Sequence, residues 1–366
     1  MEGADLVVAP YRGRPVESPW WRTAPNPTYR EGESFALLRD LVARAKGDRY
    51  LRRAEENPED SLGDRVTREL VWRWVTPRWR RHLEALVERE RPDAVIVFTV
   101  PMAHFRGIPT SLRERFGIPV VFYDGDVPMS LPEFGGMDTG FNWYHHADPG
   151  EYDLVVSNSE GGLERLLELG ARRAEAVFWG ADPEFFAPQP VEKEMDVLFY
   201  GYGDKFRREW MKAMVGEPSR ALPDVDFALG GRDFRGDTGS AREIGDVPFN
   251  VFARTISQAR VNLCITRRSH ATVYASSSCR PFELASAGAA IVSNPYNGLE
   301  RWFERGSELL VVEDADEAVA AYRQLLDDPA QAEEMGRRAR ERVLDEHTYR
   351  HRARQPLELT GVQVPT

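Results

Sequence analysis

The sequence predicts an α/β protein of two lobes, each a parallel sheet covered by helices on both faces. Three observations predict it. Short, wholly apolar runs recur along the chain, and such runs suit strands buried on both faces. They alternate with stretches of helical periodicity, the pattern of parallel strands joined by crossover helices. The alternation pauses once, at the proline-rich stretch 180–192, and then begins again. A length of 366 residues fits two domains.

In the first half, Leu6-Val7-Val8-Ala9-Pro10 reads as an opening strand. Residues 67–91 carry Leu70, Trp72, Trp74, Trp79, Leu83 and Leu86 at helical spacing, with a kink expected at Pro77. Strands follow at 94–98, 118–123, 153–158 and 176–179, with a helix over 160–169 that ends at Gly170. After the prolines, strands are expected at 196–201, 227–231, 261–265, 290–293 and 308–312. Helices are expected over about 249–259, 315–327 and 330–345. The elements describe two Rossmann-like lobes, residues 1–186 and 187–345. Residues 346–366 form a terminal helix or tail that can return to the first lobe. Open α/β sheets bind ligands beyond the carboxyl ends of their strands, so a cleft between two such lobes is the expected site.

A net charge of −11 speaks against general nucleic-acid binding, which needs a dense basic face. It leaves room for a small basic pocket. Cys264 and Cys279 do not make a metal pair or a disulfide framework, and read as free thiols of a reducing compartment. The start, Met1-Glu2-Gly3-Ala4-Asp5, lacks a targeting pattern, and no apolar run reaches membrane-spanning length. The expectation is a soluble cytoplasmic protein.

The chemistry concentrates in Ala275-Ser-Ser-Ser-Cys-Arg-Pro-Phe-Glu-Leu-Ala-Ser-Ala-Gly288. Pro281 suits the first position of a helix, which would set Ser276, Ser277 and Ser278 at its N-terminus. Free N–H groups and partial positive charge there suit a phosphate, and Arg280 adds a formal charge. Glu283 would fall in the first turn, able to accept two hydrogen bonds from a ribose diol. The same residues also fit a capped core helix.

Glu283-Leu-Ala-Ser-Ala-Gly288 resembles the acidic, small-residue helix of the group-1, retaining-type nucleotide-sugar glycosyltransferases of the GT-B fold, in particular their spore-maturation-type branch. Val292–Glu300, Glu304–Glu313 and Glu346–Arg352 continue the likeness, and Gly180–Pro188 is similar to the family's lead-in to its second domain. The likeness covers about 190–355 well and the first lobe in outline. It implies a donor-binding C-terminal lobe, an acceptor-binding N-terminal lobe, and Glu283 on the donor ribose. The family usually carries a second Glu eight positions earlier, where this chain has Ala275. The likeness therefore implies neither the sugar nor the stereochemistry of transfer.

Further candidates follow strand ends. Gly201-Tyr-Gly203-Asp-Lys205-Phe-Arg207-Arg208 offers Gly203 for close backbone approach and Lys205, Arg207 or Arg208 for a diphosphate, against a solvated helical turn. Arg267 and Arg268 end the 261–265 strand and suit stabilisation of a departing diphosphate, against surface ion pairs. Neighbouring His270 reads as structural. By the resemblance, the nucleobase packs near Gly245, Asp246 and Val247. In the first lobe, Asp124-Gly125-Asp126 is open to three readings: a metal-binding Asp-x-Asp, a general base or acceptor ligand, or a turn. His104 follows the 94–98 strand and is expected at the cleft.

The expectation is metal-independent transfer without a cofactor, from a UDP- or GDP-linked sugar to a saccharide, protein or small-molecule acceptor. The rivals are an epimerase or hydrolase on the same scaffold, and a non-catalytic sugar-nucleotide-binding protein.

Overall fold

A computed structural model describes residues 4–34, 62–134, 143–203 and 205–362. Met1–Gly3 of the expected non-targeting start, and Asp204 of the glycine-rich turn, lie outside the described residues. The chain divides into two compact units. The first comprises residues 1–157, 162–177 and 354–366, and the second 158–161 and 178–353.

The first unit is built on strands β3 (Val95–Phe98), β4 (Val120–Asp124), β5 (Leu154–Ser157) and β6 (Ala174–Ala176), all parallel and in that spatial order. Residues of β4 and β5 are buried throughout, as continuous apolar runs require. Phe122 and Val155 pack with Trp79, Ile108 and Leu112 in one core. The opening strand is shorter than expected. β1 (Val7–Val8) pairs only with β2 (Arg22–Thr23), in a separate two-stranded sheet. The predicted kink also takes another form. Helices Leu62–Leu70 and Thr76–Glu90 are joined by a π-helical turn, Val71–Val75, and Pro77 occupies the first turn of the second helix. There its missing N–H falls where the unbroken helix passes from π to α spacing, and the π-helical turn accommodates the lost bond.

The second unit holds a six-stranded parallel sheet. Its strands are β7 (Met195–Tyr202), β8 (Phe227–Arg232), β9 (Arg242–Gly245), β10 (Ala259–Cys264), β11 (Ala290–Ser293) and β12 (Leu310–Val311), in the order β12-β11-β10-β7-β8-β9. Val197, Phe199, Val261 and Leu263 pack towards Met214 and Tyr322 on one face. On the other, Ile291 packs with Phe282 and Trp302. The chain runs outward from β7 to β9, then returns to lay β10 on the opposite side of β7. The sheet order therefore reverses between β7 and β10, the point at which open α/β sheets leave a crevice.

The proline-rich stretch is not a free linker. Ala181 N–H donates to the His347 carbonyl at 3.1 Å, and Tyr349 N–H donates to the Ala181 carbonyl at 2.9 Å. Asp182 accepts from the N–H groups of Glu184 and Phe185, and Phe186 is buried in the second unit's core. The prolines punctuate a segment that packs, because apolar Ala181 and Phe186, on either side of Pro183, are buried. Among the described residues, no helix is long and apolar enough to cross a membrane.

Candidate functional site

Parallel strands present all their carboxyl ends at one edge of a sheet. In the second unit this edge opens into a cavity of about 290 Å³ at the order reversal. β7 contributes Tyr200 and Gly201, β8 contributes Gly231 and Arg232, and Thr266 and Arg267 follow β10. At the back of the cavity two backbones touch: a Cβ on Gly231 would lie 1.9 Å from the Gly201 carbonyl oxygen, and Gly231 has φ +119°. Only glycine fits there.

The remaining wall is the start of the Cys279–Ser286 helix, from which Ser278, Cys279, Arg280 and Glu283 reach the cavity. Ser278 is the N-cap, in an extended conformation (φ −119°, ψ 162°) that begins the helix at Cys279. Pro281 is thus third in the helix rather than first, and Glu283 falls in the second turn rather than the first. Glu283 still reaches the cavity, held at 2.8 Å by Arg280 Nη1 one turn earlier. The Glu283 side chain is only 13% exposed. Burial raises its pKa above the ordinary carboxylate value, and the Arg280 charge opposes that rise.

Four arginines line the cavity (Arg207, Arg232, Arg267 and Arg280) against two carboxylates, Asp246 and Glu283. The wall therefore carries a positive excess in an acidic chain. Arg207 donates from Nε to the Ile265 carbonyl at 2.8 Å and from Nη1 to the Tyr202 carbonyl at 3.1 Å, which fixes its guanidinium at the strand ends. Arg232 Nε holds both oxygens of Asp246, at 2.7 and 2.8 Å, and this pairing lowers the Asp246 pKa. His270 also lines the cavity, its Nδ1 at 3.0 Å from the hydroxyl of fully buried Ser276.

Of the residues singled out in the sequence, Arg207, Arg267, Ser278, Arg280, Glu283 and Asp246 are brought together here. Others are placed elsewhere. Ser277 is fully buried and faces inward. Its hydroxyl donates to the Asn158 carbonyl and accepts from Trp179 N–H. Gly203 is a packing glycine, since a Cβ there would lie 2.5 Å from the Phe234 ring. Lys205 is exposed, with its ammonium 5.0 Å from the Phe206 ring centroid. Arg268 is exposed at the start of the short Arg268–Thr272 helix. Gly245 is exposed, and Val247 accepts a hydrogen bond from Tyr200 at its carbonyl, outside the cavity wall. Tyr200 and Cys279 were not singled out. Their signal is position alone, at or just beyond a strand's carboxyl end or at a helix start.

The first unit's candidates have environments of their own. Asp124 is fully buried. It accepts from Tyr144 Oη at 2.7 Å, and from Ser130 Oγ and Asp126 N–H at 2.9 Å each. Burial outweighs these bonds and pushes its pKa up to about 6. Such an enclosed carboxylate anchors the turn after β4. Asp126, the next acid, is half-buried and precedes the Val127–Ser130 helix. His104 shares a 2.5 Å hydrogen bond between Nδ1 and the Tyr11 hydroxyl, and burial pulls its pKa down to about 4. Among the described residues, no group of three or more His, Cys, Asp or Glu side chains is placed to hold a metal ion.

The position of the missing second Glu is tightly enclosed. Ala275 is fully buried at φ 45°, and Gly298 approaches it so closely that a Cβ on Gly298 would lie 2.4 Å from its nitrogen.

Residues 207–358 match the family described as Glycosyl transferase-like. No curated protein matches the chain by sequence. Similar folds occur in solved structures. Sucrose-phosphate synthase from Thermosynechococcus elongatus aligns with a TM-score of 0.56 and 15% identity, over 79% of this chain and 78% of that one. HepE of Anabaena, solved in complex with UDP-glucose, gives 0.56 and 11% over 77% and 82%. Trehalose 6-phosphate synthase from Burkholderia multivorans gives 0.57 and 12% over 83% and 78%. The chain has the GT-B fold of Rossmann-like lobes, and its residues 207–358 are similar to the glycosyl transferase-like family.

Proposed function

We propose that the chain is a glycosyltransferase that binds a nucleoside-diphosphate sugar in the second unit's cavity and transfers the sugar to an acceptor held by the first unit. One observation carries the reading. At the sheet's order reversal, a helix N-terminus, four arginines and a buried carboxylate line one cavity. A diphosphate meets N–H groups and guanidinium charge there, and a ribose diol meets Glu283. As the bond from the anomeric carbon to the diphosphate breaks, negative charge grows on the leaving oxygen. Arg207 and Arg267 are the cations for that charge. No metal ion is invoked. On the acceptor side, half-buried Asp126 is the candidate general base, with His104 the alternative.

The family match over 207–358 and the UDP-glucose complex of HepE support the donor class. The Glu283–Gly288 motif supports the spore-maturation-type branch. Two free thiols support a reducing, cytoplasmic setting.

Thermal-shift measurement against UDP, GDP and their sugars tests the donor. A ligand at about 100 times its Kd stabilises the native state by about 2.7 kcal/mol. Glu283→Ala is expected to weaken calorimetric binding of the active nucleotide at least about tenfold, the loss of a hydrogen-bonded charged partner. Unchanged binding removes Glu283 from the site. Donor turnover without any acceptor would instead make the chain a hydrolase or epimerase. Binding without transfer across an acceptor panel would make it a binding protein.

A further inference from the structure

Arg280 offers a charge to a diphosphate, yet its contacts point elsewhere. Its guanidinium carbon lies 4.4 Å from the Phe252 ring centroid and 5.0 Å from that of Tyr200. Those rings stand 4.4 Å apart, and Phe252 is buried. The Tyr200 hydroxyl is itself tied to the Val247 carbonyl at 3.1 Å. An arginine spread over two fixed rings has little freedom to swing. Its Nη1 is committed to Glu283 Oε2, three residues on along the same helix. Glu283 needs that partner, because a buried carboxylate without one takes up a proton. Once protonated, it presents a hydroxyl and a weaker acceptor in place of two charged oxygens.

We propose that Arg280 is a positioning residue, whose guanidinium, fixed over Tyr200 and Phe252, keeps Glu283 ionised and oriented at the cavity wall so that Glu283 can accept from the donor's ribose hydroxyls. The proposal rests on the donor-site reading above, and gives Arg280 a different task from direct contact with phosphate.

The groups around Glu283 bear on its titration. On its own helix, Cys279 is held neutral, its thiol pushed up to about 11 by burial. Tyr349, from the Tyr349–Leu359 helix, donates to Cys279 Sγ at 3.6 Å. His347 packs against Phe282 on that helix, and burial pulls its pKa down to about 3. Across the cavity stand Arg207, Arg267 and His270. Tyr200 is the titratable group of β7 beneath Arg280.

Calorimetric titration of UDP and GDP into the full chain, at several values between about pH 6 and pH 8.5, tests the proposal. Without Arg280, burial alone acts on Glu283, whose pKa rises further. The carboxylate is then lost as pH falls through that raised value. Affinity falls by up to about tenfold per pH unit below the pKa of a group that must be ionised. Arg280→Gln is therefore expected to bind about tenfold more weakly at the low end than at the high end, where affinity recovers. Its binding should release a fraction of a proton, read from the dependence on buffer ionisation heat. Wild type should vary by less than about threefold over the same range. Arg280→Lys, which keeps the charge, should restore the flat profile and controls for folding. Adding Glu283→Gln to Arg280→Gln should abolish the slope.

Arg280→Gln weakening binding by one factor at every pH would mean that Arg280 contacts the nucleotide itself, and would overturn the proposal. So would no effect at any pH, or a slope that persists in the double variant. Failure of wild type to bind either nucleotide is a different result, which defeats the donor-site reading and this proposal with it.

Discussion

Asp124 shows how a single buried side chain can carry a pH signature. Its pKa in the folded protein is about 6, against an ordinary value of 3.8. Between these values the native state holds a proton that the unfolded chain releases. Stability from this group is therefore greatest at low pH and declines as pH rises from about 4 to about 6, by roughly 3 kcal/mol at most. Asp124→Asn removes the titration. Urea unfolding at about pH 4.5 and pH 7 should show wild type gaining roughly 2 kcal/mol on the variant at the lower pH. A difference independent of pH would place the titration elsewhere. At this scale the sequence was a good guide to which residue types matter and a poor guide to which way they face. Glu283 and Arg280 were legible because acid, proline and small residues occur at helical spacing. Ser277 was not, because its partner Asn158 is distant in sequence and nothing local records that contact. The helix start was misread by two residues, because Ser278 rather than the prolyl ring sets it.

Strands and helices obey a different logic, in which the side chains that are absent count as much as those present. The ends of β7 and β8 meet at Gly201 and Gly231, paired in register, and their close approach at the cavity wall requires that Gly231 carry no Cβ. Gly231→Ala would force a methyl group into the Gly201 carbonyl at a φ that L-residues rarely adopt. Strain of this kind costs about 1–3 kcal/mol before the clash is counted. The variant should melt several degrees lower and lose nucleotide binding together with stability. A variant with normal melting and normal binding would show that the strand ends can separate freely. Buried strands were legible as apolar runs, and β4, β5, β7 and β11 lie close to where the sequence puts them. β9 was missed because it is an edge strand, reading Arg-Glu-Ile-Gly, with little buried surface to leave a pattern. The Gly180–Pro188 segment was misjudged for the opposite reason: prolines advertise a break, while the backbone bonds of Ala181 that pin it are invisible in composition.

The whole molecule sets its own electrostatic terms. A chain of net charge −11 repels a nucleoside diphosphate at long range, so its capture depends on the local excess of arginine around the cavity. Salt screens both effects, and short-range attraction to the wall is the stronger. Raising salt from about 0.05 M to about 0.5 M should weaken nucleotide binding several-fold, measured calorimetrically. Tighter binding at high salt would mean that global repulsion dominates. The two-lobe architecture was the most legible level of all, because it needs only the alternation of buried strands and helices and one interruption. What that alternation omits is the order of strands in space, and with it the place where β10 crosses back beside β7.

The path of the chain has a consequence for how the protein is made. Residues 178–353 are an excursion. The chain enters the second unit beside the point where it leaves, at Ala181 and Tyr349, and then supplies residues 354–366 to the first. One face of the first unit's sheet, formed by Val121, Tyr123, Leu154, Val156 and Val177, packs against Leu359, which is translated after the whole of the second unit. At about 5–20 residues per second, a ribosome takes roughly 10–40 s to pass from residue 177 to Leu359. Throughout that interval the nascent first unit lacks the cover that Leu359 gives this apolar face. The interval of synthesis thus sets how long that face waits for its cover.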